Sequence, residues 1–290
     1  MKHLFLLLAS LLTIGVAQCK PLPSAEDTDL DAIVMEPRSS QMQFDEIEVS
    51  GGVRLIIEER TEGNIIIRSP KRLLEYITLY VSDNTLHAGL RLPKGGLRNS
   101  YGLVKLGAPS HLVEIYVPNN GRINEITTSG ASSVKVVPTL SAAELDIEAS
   151  GASTISLATN SPKVSIDLSG ASTLKIDAHS NSMDADVAGA STLKCYGSLG
   201  GRFEAEVSGA STLTADEFAA HALELEVTGA SSAKAKCDIG IVEVSGASGA
   251  TIECSTSLDA SASSASTVRY KGDCNVNLKS VTGASSIKKL

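Results

Sequence analysis

Residues 164–176 read VSIDLSGASTLKI, residues 183–195 read MDADVAGASTLKC and residues 203–215 read FEAEVSGASTLTA. Each is an alternating stretch, the tripeptide Gly-Ala-Ser, and a second alternating stretch. Outward from here the tripeptide occurs eight times in all, at Gly130, Gly151, Gly170, Gly189, Gly209, Gly229, Gly246 and Gly283, with a degenerate ninth copy at Ser264-Ala265-Ser266. The intervals are 21, 19, 19, 20, 20, 17, 18 and 19 residues. A unit this short cannot bury an apolar face alone, so a period this regular describes coils that stabilise one another by stacking.

Numbering each coil from its glycine as zero, positions minus six, minus four and minus two are apolar: Val164/Ile166/Leu168, Met183/Ala185/Val187, Phe203/Ala205/Val207 and Leu223/Leu225/Val227, with Gly240 the one exception. Positions plus four and plus six are apolar too, as in Ile155/Leu157, Leu174/Ile176 and Leu193/Cys195. Period two means strand with one buried face. No 3.6-residue period competes with it. Each coil is therefore expected to be strand, Gly-Ala-Ser corner, strand, and a variable return segment. The fold is all-β, a single-stranded right-handed parallel β-helix, or β-solenoid, with about 20 residues per coil; the hand follows the general crossover preference. Nine coils spaced like parallel strands give a rod of roughly 43 Å.

The ends differ from the middle. Lys2, an apolar run from Leu4 to Leu12 and Gly15-Val16-Ala17 make residues 1–17 a signal peptide. Lipid attachment at Cys19 is a second reading, disfavoured because Gln18 rather than a small residue precedes it. Residues 18–42, with Pro21, Pro23, Pro37 and five acids, read as a flexible tether. Residues 43–290 form one domain: irregular N-terminal coils and cap over 43–128, regular coils over 129–269, and a C-terminal cap over 270–290. In that last stretch Asn277, Lys279 and Lys289 fall on positions that should be apolar, while Val276 and Leu278 are displaced by one. No later stretch of the sequence reads as a transmembrane segment.

The formal charge is −8, the basic residues are dispersed, and six Tyr and four Phe are the only aromatics, with no Trp. Nucleic acid, which wants a basic stripe and stacking platforms, is thereby disfavoured as a partner.

Ser-Gly-Ala-Ser corners recurring about every twenty residues, after the opening Phe44-Asp45-Glu46-Ile47-Glu48-Val49-Ser50-Gly51-Gly52-Val53, resemble the head GIN domain of autotransporter adhesins. The likeness covers roughly residues 43–288. It implies a parallel β-helix exported to the periplasm, cell surface or outer membrane of a Gram-negative bacterium. It brings no catalytic residues to match here.

The sharpest surface feature is acidic. Position minus three reads Glu148, Asp167, Asp186, Glu206, Glu226 and Glu243 in six consecutive coils, and minus five adds Asp146, Asp184, Glu204 and Glu224. Stacked in register these are like-charge ladders, unfavourable between neighbouring strands. Plus five carries Lys135, Lys175, Lys194, Lys234, Arg269 and Lys288. The plain reading is a solvated surface that keeps a rod soluble. The sharper one is Ca²⁺ held by oxygens at coil spacing, although no calcium nonapeptide is present. Hydroxyls at plus two and plus three, such as Ser172-Thr173, read as structural ladders.

Cys237 and Cys254 each lie eight residues after their corner glycine, on adjacent coils, which makes them a candidate disulfide. Cys195 reads as a small core residue, and Cys274 has no evident partner. His87, His111, His179 and His221 are scattered, and no nucleophile elbow, zinc motif or phosphate loop occurs. No catalytic residue, metal ligand or cofactor is assigned. The expectation is a non-enzymatic, adhesin-like envelope module that contacts an unknown protein or glycan and is free to oligomerise. Glycan or peptidoglycan recognition is the alternative within binding functions. A polysaccharide-degrading enzyme is the alternative outside them, disfavoured because an active site should interrupt so uniform an acidic row.

Overall fold

In the computed structural model, which describes residues 32–38, 43–93, 98–99, 102–103 and 112–290, every Gly-Ala-Ser is a tight corner between two strands. The expected signal peptide and Cys19 lie outside the described residues. About 67% of the chain is strand and 3% helix, arranged as a β-solenoid of about nine turns. The expected all-β stacked-coil architecture is the observed one.

The corner shows why its first residue is glycine. The eight corner glycines have φ between +72° and +78°, a backbone region in which a side chain collides with the following carbonyl. Space forbids a side chain as well: a Cβ built on Gly170 would stand 2.5 Å from the carbonyl oxygen of Gly151, and the same 2.5 Å recurs at Gly189, Gly209, Gly229 and Gly246. That carbonyl is occupied. It accepts the N–H of the next corner's alanine, as in Ala171 to Gly151 and Ala190 to Gly170, both at 2.7 Å. Serine at plus two turns inward and is buried in eight corners from Ser132 to Ser266. In four of them its hydroxyl accepts the N–H of the serine one coil earlier, as at Ser191 from Ser172 (3.4 Å) and Ser211 from Ser191 (3.3 Å). The hydroxyls thus satisfy corner amides that the strand ladders do not reach.

Strands before and after the corner stack in parallel and in register. Glu144–Ala149, Lys163–Leu168 and Thr173–Val187 pair in succession on one side of the corner, and Ser133–Leu140, Thr154–Thr159 and Thr173–Val187 on the other. Thr173–Val187 belongs to both sets. From this coil onward the expected variable return segment is itself strand, so that Thr192–Val207, Thr212–Val227, Ser232–Val244 and Gly249–Ala262 each run unbroken from one corner to the next. Bulges absorb the differences in coil length, for example between Ser180 and Ser182 and between Ala215 and Ala219.

The interior is one continuous apolar column. Ala185, Ala205 and Ala215 make room for Phe203 and Phe218, which meet edge to face with ring centroids 5.6 Å apart. The two shortest intervals, 17 and 18 residues, bring a narrower coil filled by Ala233, Ala235, Ala250, Ala260 and Ala262. Gly240, the exception in the minus-six column, belongs to this narrow part. A Cβ there would stand 3.0 Å from Leu258 Cδ1 and 3.1 Å from Cys237 Sγ, which already occupy the space.

Three terminal features depart from the sequence expectation. The tether does not extend to residue 42 as a free segment: Ile33–Arg38 pairs antiparallel with Ile65–Pro70, using the Ile-Val-Met run that its prolines and acids obscured. The N-terminal coils are stacked out of chain order. Glu46–Ser50 and Arg54–Glu58 flank the Gly51-Gly52 corner, and this coil lies between the coil of residues 125–140 and an outer layer made by Thr85–Leu90 and Glu114–Pro118. At the other end, Val276 and Leu278 are not displaced. They pair with the buried Leu258 and Ala260, and a bulge at Lys279 takes up the extra residue.

Two substitutions test the corner in opposite directions. Gly170→Ala adds a Cβ to a left-handed residue against a carbonyl and is expected to cost at least about 2 kcal/mol. Ser264 is the corner residue that carries a side chain, at φ +66°, and its neighbour Ala265 reaches the Gly246 carbonyl at 2.9 Å, against 2.7 Å at Gly170. Ser264→Gly is therefore expected to gain about 0.5–1 kcal/mol, the relief of strain less the entropy returned to the unfolded chain. Thermal unfolding followed by far-UV circular dichroism measures both.

Candidate functional site

The alternation that fills the core also aims the intervening side chains outward, and register turns them into rows. Glu148, Asp167, Asp186, Glu206, Glu226 and Glu243 are direct neighbours, each opposite the next on the adjacent strand. All six are exposed. Parallel strands place them about 4.8 Å apart, and no hydrogen bond or ion pair involves their carboxylates among the described residues. The row ends at Ser261 on one side. On the other it passes Thr127 to Glu48, whose carboxylate is 2.8 Å from His87 Nδ1. His87 stacks on Tyr80 and shares a hydrogen bond with Ser82, so this histidine closes the row.

The minus-five row is different because it is partly neutralised. Arg202 lies 2.8 Å from Glu204 and 2.6 Å from Glu224. Further along, Glu46, Glu125 and Asp146 are consecutive neighbours. Partial burial first, then the charges of Glu46 and Glu148, hold the Glu125 carboxyl above its ordinary value. Beyond the corner Lys135, Ser156, Lys175, Lys194, Thr214, Lys234, Thr251, Arg269 and Lys288 form a single in-register column. Lys175 lies over the Tyr196 ring, 5.2 Å from its centroid. Acidic and basic columns occupy different faces, so they do not cancel each other.

The carboxylates lie side by side and do not converge. Among the described residues no group of three or more His, Cys, Asp or Glu side chains is arranged to hold a metal ion.

A second feature is a cleft of about 610 Å³ at the narrow C-terminal coils, lined by Cys237 and Cys254 with His221, Asp238, Glu253 and Ser255 among others. Asp238 accepts a hydrogen bond from Ser255 Oγ at 2.7 Å and lies 3.2 Å from His221 Nδ1, and these two contacts hold its carboxyl below the usual carboxylate range. Glu253 sits between Lys271 at 2.6 Å and Lys236 at 2.9 Å, which lower its carboxyl likewise. In this trio the aspartate touches both the serine and the histidine, and no contact joins Ser255 to His221. A relay that needs histidine to take the serine proton is therefore not assembled.

The structure brings together the two cysteines that the sequence pairs. Cys237 and Cys254 are register partners on adjacent strands, 3% and 1% exposed, and both are free thiols. Cys274 does have a neighbour: the strand that carries Cys254 lies between the strand of Cys237 and the strand that begins just after Cys274, and the Cys254 sulfur is near enough to both other thiols to raise them. Sequence counting missed this because Cys274 follows a bend at Gly272-Asp273, outside the regular register. The signal was Gly272 itself, whose φ is +103° and whose Cβ would stand 2.1 Å from the Cys254 carbonyl oxygen. Cys195 has no cysteine neighbour among the described residues and lies in the core, where burial pushes its thiol far up.

Residues 43–236 match the family described as "Putative auto-transporter adhesin, head GIN domain". The chain belongs to this family. Crystal structures of similar fold include a putative adhesin from Parabacteroides distasonis ATCC 8503 (TM-score 0.67, 14% identity, 89% of this chain and 97% of that one). A putative lipid binding protein from the same organism (0.65, 14%, 89% and 96%) and a putative adhesin from Parabacteroides merdae ATCC 43184 (0.55, 16%, 89% and 96%) are also similar. At these identities the likeness is one of fold. Curated proteins give no match. Neither the family nor these neighbours indicate an enzyme. No helix among the described residues of this GIN head is long and apolar enough to cross a membrane.

Two variants test the rows. Glu206→Gln removes repulsion from Asp186 and Glu226 together, and is expected to stabilise by up to about 1 kcal/mol at low salt. The gain should fade near 1 M salt, where screening acts within about 3 Å. Glu125→Gln uses the raised carboxyl. A carboxyl that binds its proton more tightly when folded contributes stability at low pH and loses it as pH rises through the folded value. The variant should therefore melt higher than the parent at pH 7 and show no advantage near pH 4.

Proposed function

We propose that the chain is an exported, non-enzymatic adhesion or scaffold module of the cell envelope, working through the long charged faces of the solenoid. The observation that carries this reading is the six-coil acidic row, in register, exposed and without an internal partner. A catalytic site needs unlike groups gathered at one place. Here like groups repeat along an axis, which suits many weak, identical contacts to a repeating glycan or to an extended protein partner. Affinity then grows with the number of coils engaged and not with the quality of any one contact.

Recognition of a glycan, including peptidoglycan, is the narrower form of this reading, favoured by the match between a repeating surface and a repeating ligand. A lipid ligand, which one neighbour's name brings to mind, finds less support. The interior is filled by side chains from Phe44 to Val268, and the cleft near the C-terminal end is rimmed by His221, Lys236, Asp238 and Glu253.

A glycan array with neutral, anionic and peptidoglycan-derived arms, run beside extracellular-matrix proteins, tests the proposal. The expected result is binding that weakens with salt and weakens further when Glu206 and Glu226 are both changed to Lys. Absence of binding on every arm would remove the adhesive reading. Release of reducing ends from any bound polysaccharide would replace it with an enzymatic one. Protease treatment of intact cells, with cleavage of the native chain expected, tests whether the module is exposed on the surface.

A further inference from the structure

Three of the four described cysteines gather at one place. Cys237 and Cys254 are register partners on adjacent parallel strands, a relation that sets their Cα atoms about 4.8 Å apart, inside the roughly 4.4–6.8 Å range that a disulfide spans. Both are almost fully buried. Room for the Cys237 sulfur is built in: a Cβ on Gly240 would crowd Cys237 Sγ at 3.1 Å, and glycine leaves the sulfur its place. The third thiol, Cys274, is half-buried against the core just before Asn275–Val281, the strand that pairs with the Cys254 strand on the side away from Cys237, and nearby Gly272 packs directly on the Cys254 carbonyl. Cys254 is thus the middle member of a row, in contact with Cys237 inward and Cys274 outward. Its Sγ is also held 3.1 Å from the Ser257 carbonyl oxygen and 3.3 Å from that of Asp238.

Accessibility and pairing geometry are therefore separated. Although Cys237 and Cys254 contribute to the wall of the cleft, they are only 3% and 1% exposed, so an oxidant the size of a small peptide disulfide meets little of either sulfur. The thiol that such an oxidant can reach is one step away, in contact with the pair. Burial and the Cys254 sulfur push the Cys274 thiol up, while the Lys289 charge acts in the opposite direction there.

We propose that Cys274, Cys254 and Cys237 form a thiol–disulfide relay, in which Cys274 reacts with a small external disulfide and passes the oxidation inward to leave a Cys237–Cys254 bond between adjacent coils. In the first step the Cys274 thiolate attacks one sulfur of the external disulfide and releases one small thiolate. The Cys254 thiolate then attacks Cys274 Sγ, forming Cys254–Cys274 and releasing the second small thiolate. Finally the Cys237 thiolate attacks Cys254 Sγ and expels Cys274 as thiolate. Cys237 and Cys254 have together lost two electrons and two protons, the external disulfide has become two thiols, and Cys274 is restored. The product joins two coils close to the C-terminal end of the stack, where Thr267–Lys271 and Asn275–Val281 form the next layer. The isolated Cys195 is the internal control and stays reduced.

The test is to incubate the folded protein with oxidised glutathione, quench by alkylation at intervals, and map the linkages by mass spectrometry without reduction. The expected product is a Cys237–Cys254 cross-linked peptide, with Cys274 alkylated and Cys195 modified only after unfolding. Cys274→Ser, which alters a half-buried position, should slow the appearance of that peptide by about tenfold or more, because the buried thiols lose their access route. Cys254→Ala interrupts the relay after its first step and should accumulate one glutathione adduct on Cys274. Failure of the wild-type chain to form Cys237–Cys254 would overturn the proposal, as would an unchanged rate in Cys274→Ser. Should that variant melt below the reduced parent, the adduct on Cys274 in Cys254→Ala decides: its presence supports the relay and its absence removes it.

Discussion

One hydrogen bond, repeated, sets the rest of the structure. From the Gly151 corner onward, the alanine N–H of each corner reaches the first carbonyl of the corner beneath at about 2.7–2.9 Å, and glycine is what permits so close an approach, since a Cβ would stand about 2.5 Å from that carbonyl. With corners locked one upon another, the residues on either side are counted from a common origin. Inward columns then stay inward for many coils, and outward columns become continuous rows. The charged faces are consequences of this bond as much as the core is.

Uniformity has a cost that the chain accepts on its surface. Stacking identical strands in register aligns identical charges, and six carboxylates stand without partners among the described residues. Elsewhere the same repetition is tempered by neighbours of opposite sign: Arg202 between Glu204 and Glu224, and Glu253 between Lys236 and Lys271. The row at minus three has no such relief, and this contrast makes it the surface on which the functional reading rests. An in-register row of like charge also disfavours lateral pairing with its own copies, a hazard for any long sheet.

What the sequence made legible was whatever repeats. Corner spacing, the inward alternation and both charged columns follow from counting from glycine, and the family likeness rests on the same tripeptide. Features that lie off the count were not legible. Ile33–Arg38 sits among prolines and acids, and its pairing with Ile65–Pro70 follows from no local pattern. Val276 and Leu278 looked displaced because a single bulge at Lys279 shifts the count from Gly283 for every residue before it. Cys274 looked alone because the bend at Gly272 carries it toward Cys254. In the last two cases one residue of irregular backbone breaks the arithmetic while the packing continues across it.

The out-of-order start has a consequence for assembly. A regular coil closes on its predecessor across about twenty residues, whereas Glu46 must wait for Thr85 on one side and for Glu125 on the other. Since loop-closure entropy grows with the logarithm of separation, the longer of these closures costs roughly 1 kcal/mol more than a regular one. This first coil of the stack, made before the regular coils, is thus the one least able to fold before them. Nucleation belongs in the middle of the rod, growth can proceed from there toward both ends, and the early strand Glu46–Ser50 is sealed in only after younger ones have been laid against it.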